Sequence, residues 1–174
     1  MSSSLELWHD FNVSVVTAAA GLLGLLFVAL SLHLRALESP RNAELRSIAR
    51  TVFLGYVTSL GMGFLALIPQ ELAPYGVELV VLFLAALVPF AVAARTGFRP
   101  TGVGYDRRVT MLQFVIGIAM FVVSIAAAIV LASGDERALY VIGAVPVLGL
   151  LWGVFNTFEL IFRIRLGDNE PDRM

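Results

Sequence analysis

Five apolar runs, Val13 to Leu34, Thr51 to Pro69, Gly76 to Ala94, Val109 to Ala132 and Leu139 to Ile164, leave this chain of 174 residues few ways to fold. Each holds roughly the 20 residues that a helix rising about 1.5 Å per residue needs to cross about 30 Å of hydrocarbon. The first, second and fourth contain no Asp, Glu or Arg. The third and fifth carry theirs only near an end, at Glu78, Glu159 and Arg163. A charge at mid-span costs about 2.5 to 3.5 kcal/mol on insertion scales, so the pattern reads as selection by lipid. A soluble globule of this size could not enclose five helices that are apolar on every face. The expectation is an all-α integral membrane protein, a bundle of five transmembrane helices forming a single domain over 1–174.

The arginines orient it. Eleven of the twelve cations fall after odd-numbered runs: Arg35, Arg41, Arg46 and Arg50 after the first, Arg95, Arg99, Arg107 and Arg108 after the third, Arg163, Arg165 and Arg173 at the end of the fifth. The opposite ends hold Glu6 and Asp10, Glu71 and Glu78, and Asp135 and Glu136 with Arg137 as their only cation. Under the positive-inside rule the N-terminus is outside and the C-terminus cytoplasmic. A re-entrant third run, broken at Pro89, would move the Arg95 to Arg108 loop outside and violate that rule. Ser39 followed by Pro40 reads as an N-cap with proline at the first helical position. The second helix would then start before the membrane, with Leu45, Ile48 and Ala49 buried and Glu44, Arg46 and Arg50 wet.

Cysteine is absent, which excludes disulfides, thiolate nucleophiles and iron–sulfur clusters. Lysine is absent too, and arginine in every cationic position suits a GC-rich prokaryotic genome and a multi-pass protein of the plasma (inner) membrane. No cleavable targeting segment is expected: the first run is too long for a signal-peptide core, and Met1 to Asn12 has no positive charge. The inner arginines fit anionic lipid headgroups better than nucleic acid. Trp8, Phe11, Tyr75 and Tyr140 fit an interfacial aromatic belt at the outer ends. Trp152 lies deeper and needs a partner for its indole N–H or a place on a bundle wall.

Small and weakly polar residues recur at helical spacing. Asp10, Ser14, Thr17, Gly21, Gly24, Val28, Ser31 and Arg35 follow steps of four and three in the first run, the period of a left-handed helix pair. Thr51, Gly55, Ser59 and Gly63 recur every four in the second, Gln113, Gly117, Met120, Ser124 and Ala127 or Ala128 in the fourth, and Gly149, Gly153 and Thr157 in the fifth. Such faces let backbones approach closely, and packing within the bundle is their ordinary use. A sharper alternative is that the first stripe faces a symmetry mate. The third run offers only scattered alanines and is expected at the periphery.

Polar groups gather toward the cytoplasmic end: Ser31 and His33, Gln113, and Asn156, Thr157 and Glu159 near Arg163. A proton or ion pathway would need such groups. The competing structural reading pairs Glu159 with Arg163 one turn on and lets His33 reach the headgroups. No metal site is expected, since His9 and His33 lie at opposite ends of one run. No serine or threonine has a nearby base, no arginine stands at mid-span as in a voltage sensor, and Gly102 and Gly104 lack the strand and lysine of a phosphate loop. No inverted repeat of a secondary transporter is evident. No enzymatic activity and no cofactor are expected.

The stretch from Thr17 to Ser31, with the arginine-rich loop after it, resembles the first span of uncharacterised small polytopic membrane proteins from bacteria. That resemblance implies a bacterial membrane origin and no activity. Size and the lack of chemistry leave two function classes. In one, the chain forms a homo-oligomer with a channel-like axis, Asp10 and Glu6 drawing cations to its outer mouth. In the other, it is a structural or accessory subunit docked on another membrane protein.

Overall fold

The computed structural model describes residues 4–33, 43–97 and 107–168, with side chains described over 5–33, 45–95 and 111–158. After one helical turn at Ser4–Leu7 come five long helices: α1 His9–Leu32, α2 Ala43–Leu67, α3 Leu72–Gly97, α4 Arg107–Ala132 and α5 Ala138–Asp168. All five are long and apolar enough to cross a membrane, and there is no strand among the described residues. Each helix starts before its apolar run; α3 and α5 also continue past its end, whereas α1 and α2 stop short of it at Leu32 and Leu67. In α2 the described helix begins eight residues before Thr51 and includes Arg46 and Arg50. Leu45, Ile48 and Ala49 are buried there and Arg50 is exposed, as the amphipathic start requires, whereas Arg46 is half-buried and the Glu44 side chain lies outside those described. The expected cap at Ser39 and Pro40 lies outside the described residues. Helix α3 runs without interruption through Pro89.

Two tight connections fix the antiparallel order at one end. Between α2 and α3, the Gln70 side-chain amide donates to Leu65 O and to the Glu78 carboxylate, both at 2.9 Å. It thereby adds a second donor to a carbonyl at the end of α2 that already accepts the Ile68 N–H at 3.3 Å. Between α4 and α5, Gly134 takes φ +92°, and Asp135 Oδ1 accepts the Arg137 backbone N–H at 2.9 Å. The left-handed backbone at 134 is cheap only for glycine.

Helix α2 is the hub, packing along α1, α3 and α5, while α4 closes a ring between α3 and α5. The α4–α5 seam is the loosest in that ring, and α1 lies outside it against α2. At the Gly134 end the core is continuous: Met62, Leu79, Phe83, Ala128, Leu131, Leu139 and Ile142 interlock across all four ring helices. Toward the arginine-bearing end it divides. One cluster joins α1 to α2 through Leu26, Ile48, Val52 and Tyr56, and another joins α3 to α4 through Phe90, Ala94 and Phe114.

Two placements differ from expectation. The third span is not peripheral: Leu79, Phe83, Ala86, Phe90 and Ala93 are buried along one side of it. Large side chains, filling grooves opened by glycines on other helices, integrate α3 as effectively as a small-residue ladder would. It is α1 that is the least buried span. Tyr75 is also no interfacial anchor; at 2% exposure it is core, with its hydroxyl donating to Met62 O at 3.5 Å. Its neighbour Gly76 draws α3 so close to Ala128 and Ala132 of α4 that the ring is enclosed. The rest of the aromatic set does gather, with Trp8 edge-on to Phe11 and to Tyr140, each at 5.4 Å.

Candidate functional site

Between the two diverging clusters lies a partly open cavity of about 110 Å³, walled by α2, α3, α4 and α5. Along α2 it runs from Ile48 to Met62, roughly 20 Å at helical rise. Phe83, Phe90, Phe114, Phe121, Met62, Met120 and Val145 stand in its apolar wall, and among the described residues no charged side chain lines it. Gln113 and Asn156 stand at one end, where the Gln113 amide donates to Asn156 Oδ1 at 3.0 Å across the loose α4–α5 seam. The Asn156 amide donates in turn to Trp152 O at 2.8 Å. Asn156 is thus satisfied on both sides at 5% exposure, as a buried amide must be.

The inner polar group expected from sequence is therefore brought together only in part. Gln113 and Asn156 meet. His33 does not join them, since its Nδ1 lies 3.0 Å from Ala29 O of its own helix. The expected pairing of Glu159 with Arg163 falls on side chains outside the described residues. Thr157 donates to Gly153 O at 2.8 Å and lies 3.4 Å from the Tyr56 hydroxyl, an α2–α5 contact that the sequence did not suggest. Among the described residues no three His, Asp or Glu side chains gather where a metal ion could be held.

The glycine ladders prove to do different work at different rungs. A helix advances about 100° per residue, so positions four apart drift about 40° per step and a long ladder cannot stay on one neighbour. In α2, Thr51, Gly55 and Ser59 line the cavity, but Gly63 has rotated onto α1, where its missing Cβ makes room for Val16 and for Asn12 O. Gly117 seats the Phe90 ring, and Gly153 seats the Tyr56 ring. Gly55 and Gly149 seat no large side chain: a Cβ built on Gly55 has no heavy atom within 4 Å, and one on Gly149 meets only Ser59 Oγ at 3.4 Å. Gly55 and Ser59 on α2 and Gly149 on α5, small residues beside the cavity, are the sequence signal for a void. The aromatic wall carries no such signal, because Phe83 and Phe121 look like any core phenylalanine.

The first-span stripe faces away from the bundle. Asp10, Ser14, Thr17, Gly21, Gly24 and Ser31 are all exposed, while Asn12, Val15, Ala19 and Leu26 on the other side are buried. A Cβ added at Gly21 or Gly24 meets nothing within 4 Å. Ser14, Thr17 and Ser31 donate their hydroxyl protons to Asp10 O, Val13 O and Val28 O, each at 2.8 Å. Donation inward leaves their oxygen lone pairs turned to the outer face.

In comparisons with known proteins, no family model, no curated protein and no solved structure matches the chain.

Proposed function

We propose that this is a multi-pass integral membrane protein of a prokaryotic plasma membrane, with its N-terminus outside, that self-associates through the outward stripe of α1 into a channel-like assembly. Membrane residence is supported by the outward faces, where Leu25, Phe27, Val81, Val88, Ile118, Val122, Leu151 and Phe158 are exposed. Water would penalise that surface, whereas hydrocarbon does not. Orientation rests on the arginine bias, with Arg50 and Arg95 exposed at the end where anionic headgroups would meet them.

The observation that carries self-association is that Asp10, Ser14, Thr17, Gly21, Gly24 and Ser31 share a face that is exposed among the described residues and that no other described helix covers. The protomer itself is plugged by its continuous core around Leu79, Ala128 and Leu131, so a conducting path would run between subunits. A row of hydroxyl oxygens offering lone pairs, with Asp10 at the mouth, favours cations. Because the chain lacks cysteine, Thr17→Cys, Gly21→Cys and Gly24→Cys give clean crosslinking probes. Disulfide-linked dimers or higher species are expected at one or more of these positions, together with a bilayer conductance that falls in Asp10→Asn. A strict monomer in nanodiscs refutes the assembly.

A second reading is favoured by the open surface at Gly21 and Gly24, which fits the backbone of any close-packing helix. In it the chain is an accessory subunit, and a different membrane protein at fixed stoichiometry occupies the face.

A further inference from the structure

The ring of α2, α3, α4 and α5 contains a feature unrelated to the α1 stripe. Ser59 is only 3% exposed, lines the cavity, and has no hydrogen-bond partner among the described residues. This is unusual for a helical serine. Ser124, on the same cavity wall, follows the ordinary pattern and donates to Met120 O, as Thr58 does to Leu54 O. A buried hydroxyl without a partner forfeits the hydrogen bonds it had in water, so its retention in an apolar wall calls for a reason. Its nearest opposite position is Gly149, whose built Cβ would come 3.4 Å from Ser59 Oγ, and one turn along α2 stands Gly55. Alanine at Gly55 would fit and would favour the helix by about 1 kcal/mol. Two glycines that no packing neighbour requires, flanking one unpartnered hydroxyl, keep the volume open.

We propose that this cavity is a binding site for a small neutral molecule, an aromatic or alicyclic ring bearing one hydrogen-bonding oxygen. Size sets the first limit: an apolar cavity of about 150 Å³ takes up benzene, so about 110 Å³ holds a single ring at most. Charge sets the second. Among the described residues no ionised side chain faces the cavity, and an ion moved there would lose its hydration with none of them to balance it. The wall sets the third, since Phe83, Phe90, Phe121 and Met120 offer ring edges and a thioether to a π face. Ser59 then supplies the one directional contact, exchanging a hydrogen bond with the oxygen of the ligand. The Gln113 and Asn156 amides, already bonded to each other, mark the polar end of the cavity.

The test uses the full chain in nanodiscs with 4-fluorophenol, titrated by ¹⁹F NMR against protein-free nanodiscs to remove lipid partitioning. Saturable binding of one probe per protomer is expected. It should vanish in Gly55→Leu, whose side chain enters the cavity from a position without neighbours, and in Gly149→Val on the opposite wall. Helix content and unfolding midpoint, measured alongside, identify a filled variant that is still folded. Ser59→Ala should weaken 4-fluorophenol roughly tenfold, the worth of one buried hydrogen bond, while fluorobenzene binds both forms alike. Absence of saturable binding overturns the proposal, as does equal binding by folded Gly55→Leu. A Ser59→Ala variant that binds 4-fluorophenol as tightly as the native chain overturns the role of Ser59. None of these outcomes depends on the oligomeric state.

Discussion

Replacing Gly76 by alanine tests how the ring is held shut. An added Cβ would stand 2.7 Å from Ala132 Cα and 2.8 Å from Ala128 O, and closer still to Ala132 N. Comfortable carbon separations are about 3.5 to 4.0 Å, so α3 and α4 would have to part by about 1 Å. Every one of the clashing atoms is backbone, and none can rotate aside. The layer being opened contains Leu79, Ala128 and Leu131, all at 0% exposure, and a gap of that width forfeits a quarter to a half of each dispersion contact. Overpacking of this kind costs about 3 kcal/mol at the upper end of its usual range, against about 1 kcal/mol returned by alanine's helix propensity. Net destabilisation should be about 2 kcal/mol. The matched control is Gly55→Ala, where nothing lies within 4 Å and only the propensity gain of about 1 kcal/mol remains. Reversible unfolding in mixed micelles, followed by far-ultraviolet circular dichroism, should separate the two variants by about 3 kcal/mol. If they fall within 1 kcal/mol of each other, close backbone approach at Gly76 is not what seals this end.

Other substitutions probe different contacts. Gln113→Leu and Asn156→Leu should each destabilise, and a double-mutant cycle should return a coupling of about 0.6 to 1.7 kcal/mol for their interhelical hydrogen bond; a coupling of zero would mean that the α4–α5 seam is held by packing alone. Ser47 donates to Ala93 O from a fully buried position, joining the start of α2 to the end of α3. Ser47→Ala should cost about 1 to 3 kcal/mol in the same unfolding assay, and a change under a few tenths would refute the contact. Gly134→Ala, at φ +92°, should cost about 1 kcal/mol; an unchanged midpoint would show that the connection can adopt another turn. Tyr75→Phe loses only a long hydrogen bond and should shift stability by less than about 0.5 kcal/mol, whereas Tyr75→Ala, which empties a buried ring site, should cost about 3 to 5 kcal/mol.

The five helices, their alternating direction and their approximate limits were readable from the sequence because they follow from local quantities. Apolar length, charge placement and helical hydrogen bonding each depend on residues within a turn or two, as in the amphipathic start of α2 at Leu45, Ile48 and Ala49. The existence of small-residue faces was readable for the same reason. Which neighbour each rung meets was not. Gly63 meets α1, Gly153 holds the Tyr56 ring, Gly117 holds the Phe90 ring, and Gly55 opens into a cavity, although all four look alike in sequence. That assignment depends on helix rotation and crossing, which the whole set of side chains decides together. The same holds for the exchange of roles between α1 and α3: only packing decided that Phe83 and Phe90 belong to the interior, while the stripe from Asp10 to Ser31 is turned outward.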